Sequence, residues 1–459
     1  MEANSKNKMG TKAVFPLLMS MSLPPMLSML IQALYNIVDS MFVAQISTEA
    51  LTAVSLAFPI QSLIIACSVG IGVGVNSYIS RKLGERDQAE ANSAVLHGLI
   101  LALIGSLSFM LIGTLIIPSF FHFFTNDALI YELSCSYTYI CVLFCFGCFF
   151  HICIEKVFQA TGKMIFPMAI QAIGALLNIV LDPILIFGWF GFPALGVKGA
   201  AYATVAAQIF AALLSVYILL VKKHDVRVDV KHFKFHMNTI KKILAVGIPN
   251  ACMNALNSVL VIGLNTLLIQ FSNAAVSVFG VYFKLQTFVF MPVSGLSQGA
   301  MPIMGYNYGS NDHKRLHSVL NYALLVAFCI MLAGFALFEC FPNFLLQLFN
   351  ANEEMLSIGI PALKIIAVSF IPATFGFVYP TLFQAIGKGF AALTIFLLRQ
   401  CVITIPLAFI VAPIFGLYGV WVCFIIAETI SAITAYFMFH SIAKKDHILS
   451  AIYTEHPAQ

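Results

Sequence analysis

Charge is scarce in this chain. Of its 459 residues only 9% are Asp, Glu, Lys or Arg, where a soluble domain carries about 25%. Apolar residues make up 60% and the mean hydropathy is +0.95. That balance excludes a soluble globular protein, since no core of this length could hide so much apolar surface. Catalytic signatures are missing as well. There is no His-Glu-x-x-His, no Gly-x-Ser-x-Gly and no pair of acids within one span suited to an intramembrane protease, so the chain does not read as an enzyme. Among the eleven cysteines, Cys145 and Cys148 have metal-like spacing. Cys145-Phe-Gly-Cys148 has no partner pair elsewhere, and its surroundings are apolar, so these thiols read as packing groups. The eleven histidines are scattered, and His97 and His151 read as interior or water-contacting groups. No cofactor is expected. The net charge of +5 lies in loops, so no nucleic-acid partner is implied.

Long apolar runs fill the chain instead. Ala94–Phe121, Met164–Phe187, Ser318–Phe341 and Gly389–Phe415 each exceed the roughly 20 residues that a spanning helix needs. Within lipid a chain of this kind must satisfy its own backbone, so the fold is expected to be all-α and integral to a membrane. Twelve spans are expected. The first six cover roughly 14–43, 50–78, 93–119, 130–158, 165–188 and 197–221. The second six cover roughly 240–269, 275–301, 317–341, 355–382, 390–412 and 417–441. The first span is too long for a cleaved signal peptide and runs straight on to a second.

The chain contains itself twice. Phe158-Gln-Ala-Thr-Gly-Lys163 closes one apolar segment and Phe383-Gln-Ala-Ile-Gly-Lys388 closes another. The same offset of 225 carries Pro24 to Pro249, Gln61 to Gln286, Gly70 to Gly295, Gly74 to Gly299 and Asp87 to Asp312. Later it shortens to 220, taking Gly196 to Gly416 and Gly199 to Gly419. Two six-helix lobes related by this repeat follow: 1–221 and 240–459, joined by a basic, solvated linker at 222–239. Gly70-x-Gly72-x-Gly74 and Gly295 with Gly299 read as sites of close helix approach. Nineteen of the 24 Lys and Arg fall in alternate loops and tails, which places both termini in the cytoplasm.

Charges inside the spans are the candidates for function, because each is costly there. Asp39 closes Gln32-Ala-Leu-Tyr35-Asn-Ile-Val-Asp39, so Gln32, Tyr35 and Asp39 share one helical face. Asp182 follows Asn178 by one turn, again on one face. The second repeat has Leu264 and Leu407 at the matching positions, which points to one lobe specialised for ions. The bland alternative is a packing lock of carboxylate, Asn and Tyr. Pro24 and Pro25 kink the first span about four turns before Asp39. Glu155, Lys284, Arg399 and Glu428 also fall within spans and are candidates, with Gln32, to line a cavity or touch substrate. Phe, Tyr and Met are abundant and suit an adaptable apolar cavity.

These motifs carry a resemblance. Tyr35-Asn-Ile-Val-Asp39 after the Pro-rich start, Gly84-Glu-Arg-Asp87, Gln159-Ala-Thr-Gly162-Lys163, Asn178 to Asp182-Pro183 and Gly196-Val-Lys-Gly199-Ala-Ala-Tyr-Ala-Thr204 stand in order along nearly the whole chain. Together they resemble the multidrug and toxic compound extrusion (MATE) family, in its bacterial DinF-like branch. The resemblance implies a monomeric secondary antiporter of the cell membrane. It would export organic, often cationic, drugs in exchange for H⁺ or Na⁺ by alternating access. It also implies a coupling-cation site at Asp39, Asn178 and Asp182, with Tyr35 and Thr204 beside it, and no other metal. A related flippase for lipid-linked saccharides is the alternative reading.

Overall fold

The computed structural model describes residues 7–222, 224–231 and 233–445, and among them it is built of helices and loops. After a single turn, α1 (Lys8–Thr11), come α2 (Val14–Ala44), α3 (Thr48–Gly84), α4 (Gln88–Phe124), α5 (Ala128–Leu143), α6 (Phe146–Ala160), α7 (Ile165–Phe187) and α8 (Val197–Val221). The second half runs α9 (Met237–Leu268), α10 (Asn273–Gly309), α11 (His313–Cys340), the short α12 (Pro342–Gln347), α13 (Glu353–Ala367), α14 (Phe370–Ala385), α15 (Gly389–Leu397), a π-helical stretch at Leu398–Thr404 and α16 (Ile405–Lys445).

Nine of the described helical segments are long and apolar enough to span a membrane. Two of the expected spans are bent pairs: α5 with α6 at 47°, and α13 with α14 at 51°. Both bends fall at the same place in the repeat, beside Phe144 and beside Ser369, so the bend belongs to the duplicated fold. The segment Gly389–Lys445 is 57 residues long, twice the length of a span. It breaks at Gly416, where φ is +60°. Its repeat partner Gly196 has φ +56°. An added Cβ would meet nothing within 4 Å at either position, so backbone conformation is what requires glycine there.

The described residues gather into two compact units. One comprises Leu27–Ala251; the other comprises Cys252 onward together with the opening residues through Met26. The units therefore cut across the sequence repeats. Each takes in the opening turns of the other repeat's first long helix, and the changeovers follow Pro24-Pro25 in α2 and Pro249 in α9. Glycines explain how those turns seat. In the first unit a Cβ on Gly70 would stand 2.6 Å from the Gly247 carbonyl oxygen, and one on Gly74 would strike the Ile243 carbonyl. In the second unit a Cβ on Gly295 would stand 2.7 Å from Met26 Cα, and one on Gly299 would stand 2.7 Å from the Met21 carbonyl. The duplicated glycines thus let backbones touch at equivalent places in both halves.

Most described side chains of the linker are exposed, as its charge leads one to expect, while two of its peptide N–H groups are held at the start of α4. The Arg227 N–H donates to Asn92 Oδ1 at 2.8 Å, and the His236 N–H donates to His97 Nε2 at 2.9 Å. The Thr239 hydroxyl and the Tyr78 hydroxyl both donate to Glu90 Oε1. His97 is fully buried; its Nε2 accepts from the His236 N–H, which leaves Nδ1 to donate to the Ser93 carbonyl at 2.9 Å. A backbone this close to apolar helix ends needs partners, and the polar residues at the start of α4 supply them. Residues 223 and 232 of the linker lie outside the described residues.

Candidate functional site: an acid pair between α2 and α7

Asp39 lies in the second-last turn of α2 and Asp182 sits late in α7. Both lie in the Leu27–Ala251 unit. Their carboxyl groups come within hydrogen-bonding reach of each other. Asp182 is fully buried and Asn178 is 2% exposed. With the Asn178 amide turned to satisfy its neighbours, its nitrogen donates to Asp182 Oδ2 at 3.0 Å and its oxygen accepts from the Thr204 N–H at 3.2 Å. The Thr204 hydroxyl bonds in turn with the Tyr35 hydroxyl, one turn before Asp39. The helical spacings 35/39 and 178/182 thus bring two faces together, and α8 contributes Thr204 as the bridge.

The electrostatics of this cluster are unbalanced. Asp39 Oδ1 and Asp182 Oδ1 are both buried without a hydrogen-bond partner among the described residues. The polar groups named around the pair are an amide and hydroxyls, with no cationic side chain among them. Two adjoining carboxylates in apolar surroundings repel unless a proton or a cation lies between them. The donor set of carboxylate and hydroxyl oxygens suits H⁺ or a hard monovalent cation.

A second tier was not singled out from sequence. Gln61 of α3 donates to Tyr137 Oη at 3.1 Å and to Cys141 Sγ at 3.5 Å. Tyr137 and Cys141 of α5 both interact electrostatically with Asp39. Gln61 was visible only as a repeat-related polar residue in a span, and Cys141 only as a packing thiol.

The other candidates fall elsewhere. Gln32 is half-buried on α2 and no described hydrogen bond joins it to the pair. Glu155 belongs to a separate network in α6: it accepts from Lys156 Nζ at 3.0 Å and from Gln159 Nε2 at 2.8 Å. Lys156, an intramembrane cation in the sequence, is thereby neutralised. Lys284 is exposed, and its ammonium lies 5.8 Å from the Phe349 ring centroid. In the other unit Arg399 and Glu428 are buried together, with Nη1 and Oε1 3.6 Å apart. Leu264, which replaces Asp39 in the second repeat, is fully buried.

The described residues thus form an all-helical, duplicated membrane protein with a buried acid pair in one repeat. The MatE family model matches residues 24–184 and again 249–410, one match for each repeat. The chain belongs to the MatE family of multi-pass membrane transporters. It is similar to the multidrug export protein MepA of Staphylococcus haemolyticus, 29% identical over 450 residues that cover 94% of this chain and 95% of that protein. MepA of Staphylococcus aureus strain MRSA252 is 28% identical over 92% of each chain. Among solved structures, a MOP superfamily transporter from Pyrococcus furiosus superposes with a TM-score of 0.91 at 28% identity, covering 97% of this chain and all of that one. A MATE solved in straight and bent conformations is also similar, with TM-scores of 0.90 and 0.89.

Proposed function

We propose that this protein exports organic, often cationic, drugs and toxic compounds across the cell membrane in exchange for H⁺ or Na⁺. The observation that carries the reading is the contact between Asp39 and Asp182, buried with hydroxyl and amide neighbours and no cationic partner described. The relatives' names, multidrug export protein, support the substrate class. Asn178 holds Asp182, Thr204 and Tyr35 close the cluster, and one cation or proton neutralises the pair. Its entry from outside and release inside drive alternating access. Pro24 and Pro25, next to the changeover between units, are the hinge by which the rest of α2 carries Asp39. Both termini face the cytoplasm, where the basic loops lie, and the chain works as a monomer.

The driving force is adequate. One inward charge contributes about 2.3 kcal/mol per 100 mV, and each pH unit adds about 1.4 kcal/mol. A single proton therefore sustains roughly a few hundred-fold gradient of a neutral compound. Exchange for one monovalent cation cancels the electrical part and leaves about tenfold per pH unit.

The test is ethidium efflux in energised everted vesicles, comparing wild type with Asp39→Asn. Ion-dependent accumulation by wild type and none by the variant is expected. Equal transport by both would remove Asp39 from coupling while leaving the exporter in place.

A further inference from the structure

The unit beginning at Cys252 buries a charged cluster that the acid-pair site does not use. It starts from a local irregularity. At Leu398–Thr404 the backbone adopts π geometry, and the Thr404 hydroxyl donates to the Arg399 carbonyl five residues back. Such widened turns recur at functional sites. Here the widening lets two consecutive side chains turn inward, Arg399 at 5% and Gln400 at 8% exposure. Gln400 is fully explained, since its amide donates to Asn257 Oδ1 at 3.0 Å. Arg399 is not.

Its guanidinium lies against two aromatic faces, 4.7 Å from the Phe396 centroid and 5.1 Å from that of Phe377. Its one charged neighbour among the described residues is the Glu428 carboxylate, and 3.6 Å is too long for a direct hydrogen bond. Arg399 Nη1 and Glu428 Oε2 are both buried without a partner among the described residues. So are the hydroxyls of Tyr282, Thr374 and Ser431. Ser431 lies one turn after Glu428 on the same face of α16, and Tyr282 interacts electrostatically with both charges. Thr374 lies one turn before Phe377 on α14. Between them stands Gly376: a Cβ there would lie 3.3 Å from Arg399 Nη1 and 3.3 Å from Glu428 Oε2. The glycine leaves an indentation against the pair.

The balance of this cluster decides its ligand. Four of the five unpartnered groups carry hydrogens to donate, and one is a pure acceptor. In an apolar interior each unmet donor is costly. What such a cluster takes is an acceptor, and the fixed guanidinium fork favours a negative one. We propose that Arg399, with Tyr282 and Ser431, forms a binding site for a monovalent anionic group, either a free anion such as chloride or the carboxylate of an organic solute. Glu428 is its resident competitor, held near the guanidinium but not bonded to it. An ionised Glu428 and the anion contend for the same fork, so neutralising Glu428 strengthens anion binding.

The experiment is equilibrium binding of radiolabelled chloride to the full chain in detergent, in gluconate buffer, with acetate and norfloxacin as competitors. Saturable binding to wild type is expected. Arg399→Gln should weaken it by about tenfold or more, the effect of losing a charged donor. Arg399→Lys, which keeps the charge but not the fork, should fall between. Gly376→Ala should weaken it by filling the indentation, and Glu428→Gln should tighten it several-fold. A gain of affinity cannot arise from misfolding, so that arm stands even where the arginine variants unfold. Displacement by acetate and norfloxacin assigns the site to a substrate carboxylate; displacement by acetate alone assigns it to a free anion. No saturable binding by wild type or Glu428→Gln overturns the proposal, as does binding that Arg399→Gln and Glu428→Gln leave unchanged. Because binding is read without transport, this outcome is separate from the Asp39→Asn efflux result.

Discussion

Asn178 is the residue through which the acid-pair geometry is most directly tested. Its amide makes two bonds in the interior, one to Asp182 Oδ2 at 3.0 Å and one from the Thr204 N–H at 3.2 Å. Asn178→Ala removes both at once. The Thr204 N–H lies inside α8 and keeps its helical carbonyl, so the main loss is the donor to the buried Asp182 oxygen. Such a loss costs about 1–3 kcal/mol, a sizeable share of the roughly 5–15 kcal/mol by which a domain is stable. Asn178→Asp separates the two bonds. It keeps an acceptor for the Thr204 N–H but presents a third carboxylate to Asp182. A deficit confined to Asn178→Ala would point to the Thr204 bond; a deficit in both would point to Asp182. The assays are thermal unfolding in detergent and ethidium efflux in vesicles across a range of driving-ion gradients. We expect Asn178→Ala to unfold several degrees below wild type and both variants to lose ion-driven efflux by tenfold or more, as about 1.4 kcal/mol per decade requires. Unfolding and efflux of Asn178→Ala within error of wild type would refute the claim that this amide holds the pair.

Other predictions follow from the packing and the cytoplasmic face. Gly74→Ala should lower the unfolding temperature, because its Cβ strikes the Ile243 carbonyl and overpacking costs about 1–3 kcal/mol; Gly174→Ala, whose Cβ would meet Ala211 Cβ at an ordinary 3.6 Å, should be neutral or stabilising in the same melt. Gly416→Ala should destabilise by about 1–3 kcal/mol through its backbone conformation alone, φ +60° with ψ −149°, and Gly416→Asn should recover none of it, since that region is essentially glycine's own. Burial, then the Lys163 ammonium beside it, holds the His224 imidazole below its ordinary value, despite the opposing bond to the Ile218 carbonyl. The unfolded chain then binds the proton more readily, so this contribution is present above the unfolded value of about 6.5 and is lost as pH falls through it. Melts of wild type between pH 7.5 and pH 5 (a window of roughly one to two units around that value) should drop more steeply than those of His224→Gln; parallel slopes would remove His224 from the effect.

Much of the site was legible one helix at a time. Tyr35 and Asp39, and Asn178 and Asp182, are four residues apart, and a 3.6-residue period puts each pair on one face whatever surrounds it. Arg399 and Glu428 stood out as charges in spans, but nothing in the spacing of α15 and α16 joined them. Lys284 stood out for the same reason and is exposed instead. Periodicity ranks residues within a helix; it does not say which helices meet. The linker shows the same limit: its charges suggest solvent, and most of its described side chains are exposed, but no spacing in it marks the two peptide groups that bond to the start of α4.

What the amino-acid sequence determined alone is therefore the class. Scarce charge and long apolar runs require membrane helices, and the offset of 225 requires two copies of one fold. The acids of the first repeat are answered by leucines in the second. Only the tertiary structure decided that Asp39 meets Asp182, that Thr204 completes their cluster, and that each unit takes the opening turns of the other repeat's first long helix. The reason is range. Local sequence sets hydropathy and helical face within about 1.5 Å per residue of axis, whereas contacts between residues more than a hundred positions apart depend on how close backbones can come. That closeness is set by glycines such as Gly70, Gly74, Gly295 and Gly299, whose effect appears only once their neighbours are in place.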